Sequence, residues 1–429
     1  MLSSGHPAVT EITKYYFLHP SKQVRPVIVL LLSQATNGLG ANWPRKLWES
    51  QCHGAGGRAE ELNQPLTRPD VLNDWNPQMP EETRLFDPIF KLKSAVPHRQ
   101  PVPVPNPPLF AAATSENDAT YPTTPTLSPS PSPLHLTNAL LPTQLRLAQI
   151  VELLHTASLL HDDVIDASAL RRSAPSAPSA FGNKLSVLGG NFVLGRASAA
   201  LARLGDGEVT ELIASVISNL VEGEILQMKE VSMDARGNDI TNQNVHDKVA
   251  QKLTCTTGKI DTGSREAWNI YLQKTYLKTA SLMAKGARSA VVLGGCEEGE
   301  IWKEIAYAYG RNLGIAFQLV DDVLDYESAS ATLGKPGGAD LSLGLATGPA
   351  LYAWEEHPEM GTLIQRKFKE PGDVEKARDL VLRSSGVQRT RALAQEYADQ
   401  AKKVLRDLPE SEARTALEVL TERVIGRKS

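Results

Sequence analysis

Two apolar stretches of helical period, each running into a cluster of aspartates, constrain this chain more than any other feature. "LRLAQIVELLHTASLLHDDVID" ends on Asp162, Asp163 and Asp166, and "FQLVDDVLD" sets Asp321, Asp322 and Asp325 at the same spacing. Helical period also runs over 184–204, 209–230, 268–293, 301–326 and repeatedly between 346 and 425. No stretch alternates apolar and polar residues convincingly, so the expected class is all-α. Pro142 and Thr143 mark the start of the first aspartate helix, since proline loses nothing at a helix N-terminus.

The 429 residues divide into three parts. Residues 1–41 form an N-terminal helical segment, apolar from Glu11 to Ala35, with breaks expected at His19-Pro20 and Arg25-Pro26. Residues 42–141 are rich in Pro and Ser, with runs such as "PVPVPNPP" and "PTTPTLSPSPSP". Repeated proline cannot donate to a helix ladder and favours extended, solvated chain, so this part reads as a disordered insertion. Residues 142–429 form the main helical domain, with a polar, Gly-rich loop insertion at about 233–266.

Hydrophobic residues make up 41% of the chain, enough for a sizeable core beside such an insertion. A net charge of −4 with no polybasic run argues against a nucleic-acid partner. Cys52, Cys255 and Cys296 form neither a CxxC pair nor a zinc spacing and read as free thiols. The longest apolar run near the start, 27–32, is far short of the ~20 residues of a membrane span, and no transit peptide is visible.

Positions i and i+4 share a helix face, so Asp162 and Asp166 project together with Asp163 beside them. Clustered carboxylates raise one another's pKa and call for a cation. Magnesium suits them, because this hard ion bridges one or two carboxylates to substrate phosphates. One such triplet is commonly a solvated helix face. Two, each closing an apolar helix, can meet across a bundle and build a metal site from facing helices. Lys22 and Arg25, Arg171 and Arg172, Lys278 beside Thr279, and Lys335 add charge suited to diphosphates, although each alone reads as a surface cation.

In this order, K-x-x-R-P, D-D-x-x-D-x4-R-R, K-T, F-Q-x-x-D-D-x-x-D and G-K resemble the trans-polyprenyl diphosphate synthase family. "ELLHTASLLHDDVID" and "NLVEGEILQMK" are similar to fungal mitochondrial synthases that make the ubiquinone side chain. The resemblance covers most of the chain outside the two insertions. It implies an isoprenoid-synthase-like helical bundle around a central apolar cavity, with the aspartates at its mouth. It also implies condensation of isopentenyl diphosphate onto an allylic diphosphate. Lys22, Arg25, His155 and Arg172 would hold the isopentenyl diphosphate. Asp162, Asp166 and Asp321 would bind three Mg²⁺ ions, with Asp163, Asp322 and Asp325 completing the clusters. Arg171, Lys278 and Lys335 would clasp the allylic diphosphate, while Thr279 and Gln318 face the reacting carbons or the diphosphate. A homodimer or heteromer, peripheral membrane contact and a mitochondrial location follow from the same likeness.

Ala157 and Ser158 lie in the turn beneath Asp162, where short-product relatives commonly carry an aromatic. Small residues there leave room for a long product, although they also permit close helix packing. The chain departs from the family at Ser21, at Leu345, at Asn191, which stands where an Asp is usual, and in the brief segment before Lys22. Asn191 and that segment motivate a rival reading as a weakly active subunit supporting a partner. A class I terpene cyclase also uses D-D-x-x-D, but a second triplet of the form DDVLD and a cationic second-substrate set do not fit it.

Overall fold

The computed structural model of the chain describes residues 6–19, 23–52, 57–64, 66, 139–171, 174–232, 262–331 and 338–427. Its helices are α1 (Pro7–Tyr15), α2 (Val24–Thr36), α3 (Trp43–Cys52), α4 (Gly57–Asn63), α5 (Pro142–Ile165), α6 (Ala177–Phe181), α7 (Asn183–Ala202) and α8 (Gly207–Ser232). After α9 (Thr262–Thr275) one π-helical turn, Tyr276–Ala280, leads into α10 (Ser281–Leu293) and then α11 (Ile301–Ala331). The remainder are α12 (Ala339–Ser342), α13 (Gly348–Glu356), α14 (Glu359–Gln365), α15 (Asp373–Arg383), α16 (Gly386–Leu405) and α17 (Glu412–Ile425). Among the described residues the only sheet is an antiparallel pair of two-residue strands, β1 (Leu170–Arg171) and β2 (Ala174–Pro175).

The start of α5 is fixed by buried amides. Gln144 accepts from the Leu141 N–H at 3.0 Å and donates to the Ala290 carbonyl at 3.0 Å. It also exchanges hydrogen bonds with Asn37, at 2.7 and 2.9 Å. These contacts tie the end of α2 and the end of α10 to the first turn of α5. From there α5 runs 24 residues, about 36 Å, with Leu147, Ile150, Val151, Leu154 and Leu160 buried. It packs on α2 and α7, while α11 packs on α10 and α16. By length and composition alone α7 could cross a bilayer, but it packs on α5 and α1 within the bundle.

Close approach of α11 to α10 and to the π-helical turn before it depends on two glycines. A Cβ at Gly310 would lie 2.6 Å from the Met283 carbonyl oxygen, and one at Gly314 would lie 2.5 Å from Ala280 Cα. Both are backbone atoms that cannot swing aside. The pair therefore sets the distance between the π-helical turn and the second aspartate cluster.

Three sequence expectations need correction. Residues 42–141 are not one unstructured insertion, because α3 and α4 fall within them. Trp43, Leu62 and Leu66 are buried, and Asn63 accepts from Arg146 on α5 at 2.6 Å. Pro44 sits in the first turn of α3, where its missing N–H has no helical partner to lose. Residues 67–138 lie outside the described residues. Arg25-Pro26 does not break the helix either, since Pro26 occupies the first turn of α2. The loop expected at 233–266 gives way to α9 by Thr262, and residues 233–261 lie outside the described ones.

Gly310→Ala or Gly314→Ala should destabilise the protein by about 1–3 kcal/mol in denaturant titrations, because α10 and α11 must separate. At Gly195, in helix α7, an added Cβ meets nothing within 4 Å. Gly195→Ala should instead stabilise by roughly 0.5–1 kcal/mol. Equal effects at all three positions would contradict the packing described.

Candidate active site

Helix geometry divides each aspartate cluster in two. Successive residues on α5 point about 100° apart, so Asp162 and Asp166 can face a cavity while Asp163 turns inward. Asp163 is fully buried. Arg171 grips it from Nε at 2.8 Å to both oxygens and from a terminal nitrogen at 2.6 Å. The Tyr16 hydroxyl also donates to Asp163 and accepts from the Ala177 N–H at 2.8 Å. On α11 the division repeats. Asp322 is buried and accepts from the Tyr271 hydroxyl at 2.5 Å, Gln318 Nε2 at 2.9 Å and the Gly348 N–H at 3.4 Å. Asp325 accepts from the N–H groups of Ala339 and Asp340 at 3.2 and 3.3 Å. Asp163, Asp322 and Asp325 thus accept from donors of the protein itself, and none of the three is among the residues lining the polar cavity.

Asp162, Asp166 and Asp321 line one polar cavity of about 870 Å³. Arg25, His155, Arg171, Lys278, Thr279 and Gln318 line it too. Arg25 donates to His155 Nε2 at 3.2 Å, so that nitrogen carries the lone pair. Thr279 donates to Gln318 Oε1 at 2.9 Å, which links the π-helical turn to the buried Asp322. Such turns recur at functional positions because they displace side chains from the α-helical register. Lys22, Arg172 and Lys335 lie outside the described residues.

Burial pushes the Asp162 carboxyl up to about 6; Lys278 opposes the rise, while Glu224 and Asp166 add to it. Asp166 is raised for the same first reason. Lys278 contacts Glu224 at 2.5 Å and Gln227 at 2.9 Å, both on α8. Asp340 is pushed up to about 8, by burial and then by the nearby Asp322 and Asp325. Glu224, Asp340 and Arg427, which also lines the cavity, were missed from sequence. The first two belong to no pattern of paired carboxylates, and Arg427 stands more than a hundred residues from the cluster it approaches.

A second, apolar cavity of about 550 Å³ adjoins the first and shares Ser158 and Asp162 with it. Leu154, Ala157, Leu194, Ile217 and Leu220 line its walls. It follows α5 from Asp162 back toward Leu154, between α7 and α8. Asn191 lines this cavity and not the polar one. The Asn at that position therefore removes no carboxylate from the lining of the polar cavity.

The family model described as Polyprenyl synthetase matches residues 132–381. The chain belongs to the polyprenyl synthetase family. It is 40% identical to the probable mitochondrial hexaprenyl pyrophosphate synthase of Yarrowia lipolytica, over 100% of this chain and 80% of that protein. It is 41% identical to the mitochondrial hexaprenyl pyrophosphate synthase of Saccharomyces cerevisiae, over 100% of this chain and 87% of that protein. Its fold matches that of the Caulobacter crescentus polyprenyl synthase solved with calcium and isoprenyl diphosphate. That match has a TM-score of 0.54 and 33% identity, over 67% of this chain and 80% of that one.

Among the described residues no three His, Cys, Asp or Glu side chains converge tightly enough to cage a metal ion. Magnesium does not need such a cage, since it keeps waters and takes one or two carboxylates together with substrate phosphates. Three carboxylates on two facing walls, two of them with raised pKa values, fit a polyprenyl synthetase that binds metal together with a diphosphate.

Asp340 yields a pH test. Unfolded carboxyls titrate near ~4, so folded Asp340 holds a proton that the unfolded chain has lost. The stability this contributes is intact below about pH 4 and is lost as pH rises through about 8. With metal chelated, the melting temperature should fall by about 2 °C between roughly pH 7 and 9. Asp340→Asn should flatten that fall; an equally steep fall in the variant would contradict the assignment.

Proposed function

We propose that this polyprenyl synthetase is a long-chain all-trans-polyprenyl diphosphate synthase. It joins isopentenyl diphosphate head to tail to an allylic diphosphate and supplies the side chain of ubiquinone in mitochondria. One observation carries the reading: Asp162, Asp166 and Asp321 face one polar cavity that adjoins an apolar cavity directly beneath Asp162. The names and locations of the fungal relatives support it.

Arg25 and His155, with Lys22 and Arg172, hold the diphosphate of isopentenyl diphosphate. Arg171, Lys278 and Lys335 clasp the allylic diphosphate. Asp162, Asp166 and Asp321 would hold magnesium, three ions in all, and the metal would supply positive charge to stabilise the departing diphosphate. Thr279 and Gln318 orient the reacting groups, and the hydrogen bond between them keeps that orientation fixed. Asp163 and Asp322 set the positions of Arg171 and Gln318 rather than touching substrate. Apolar walls keep water from the allylic cation. No side chain is assigned as the base; the proton leaves with the diphosphate.

The growing chain enters the apolar cavity and passes Ala157 and Ser158. Ile165, Val187, Val221 and Ile225 leave its outer edge exposed. A homodimer or heteromer partner covering that edge would complete the wall, and an apolar product gives a reason for peripheral membrane contact. The helical segments 7–63 and 142–425 act as one catalytic unit, and the proline-rich stretch between them is an insertion in it.

The test is elongation of farnesyl diphosphate with labelled isopentenyl diphosphate and Mg²⁺. Long linear products are expected. A cyclic hydrocarbon, or no elongation with or without an added partner chain, would overturn the proposal. Asp321→Asn should lower kcat by about 10²–10³-fold, the scale of losing one group that stabilises transition-state charge.

Ala157→Phe or Ser158→Phe should shift the product to fewer isoprene units without abolishing the first condensation. An unchanged product distribution would exclude this route for the growing chain.

A further inference from the structure

Arg427, just beyond α17, reaches back into the polar cavity. Its guanidinium contacts Asp321 Oδ1 at 2.8 Å, and its side chain is only 9% exposed. The same group donates to the Phe317 carbonyl and lies over the Phe317 ring, 3.9 Å from the centroid. Its Nε is buried with no hydrogen-bond partner. A buried guanidinium with one unused donor is under-satisfied, since arginine has five N–H groups and no acceptor. Lys278 on the facing wall contacts Glu224 in the same way, but Arg427 occupies a carboxylate that the proposed function needs for metal.

We infer that Arg427 is an exchangeable counter-ion. It neutralises Asp321 in the substrate-free protein and yields that carboxylate when a divalent cation binds, passing its own charge to a diphosphate oxygen. The inference rests on Asp321 being a metal ligand. A guanidinium and a hard divalent ion compete for the same carboxylate oxygens, so both cannot hold them at full strength. Stacking on Phe317 lets the guanidinium turn toward the cavity while keeping its planar contact. The unused Nε supplies the donor for a phosphate oxygen, to which arginine binds in a fork. No bond is made or broken; one ion pair replaces another.

Binding of Mn²⁺ alone, read by electron paramagnetic resonance, tests this on the full chain. Arg427→Gln should bind Mn²⁺ tighter by about five-fold, because no internal cation has to be displaced. Inorganic pyrophosphate together with Mn²⁺ should bind more weakly to the variant than to the wild type. Unchanged Mn²⁺ affinity in Arg427→Gln, with binding still lost in Asp321→Asn, overturns the exchange alone. Binding that survives Asp321→Asn overturns the metal assignment and the exchange together.

Discussion

Acidic side chains gathered around one cavity must each find a hydrogen-bond donor or a cation, and the two walls of this site follow from how that demand is met. Inside each D-D-x-x-D triplet the carboxylates separate into two kinds. Asp163 is saturated by Arg171 and Tyr16, and Asp322 by Tyr271, Gln318 and the Gly348 amide. Asp162, Asp166 and Asp321 are left on the cavity surface, where burial raises the pKa of the first two. The inward carboxylates hold the walls in place, while the outward ones face the cavity, Asp321 with Arg427 against it at 2.8 Å.

The bundle makes that separation possible by holding α5 and α11 at fixed distances from their neighbours. Asn37 and Gln144 pin the start of α5 to α2 and α10. Gly310 lets α11 approach α10, and Gly314 lets it approach the π-helical turn, at backbone contact. The π-helical turn between α9 and α10 then presents Lys278 and Thr279 to the cavity, Thr279 within hydrogen-bond reach of Gln318 on α11. A shift in any of these contacts would move one wall of the site against the other.

Much of this was legible from residue pattern. Apolar period places α5, α7, α8 and α11 within a few residues, and the spacing of Asp162 and Asp166 puts both on one face. What pattern could not supply was the role of Asp163 and Asp322. Their partners Tyr16 and Tyr271 lie 147 and 51 residues away in sequence. Proline content overstated both the helix break at Arg25-Pro26 and the irregular stretch, because Pro26 and Pro44 occupy first helical turns where proline is tolerated. Arg427 carried no local signal at all, since its partner becomes a neighbour only when α17 packs across the bundle.

Diffraction at an energy near the manganese absorption edge, from crystals grown with Mn²⁺ and pyrophosphate, tests the shared cavity most directly. Anomalous peaks are expected between the α5 and α11 walls, bridging Asp162 and Asp321 through the anion. Peaks confined to one wall, or bound to Asp163 or Asp322 instead, would contradict it.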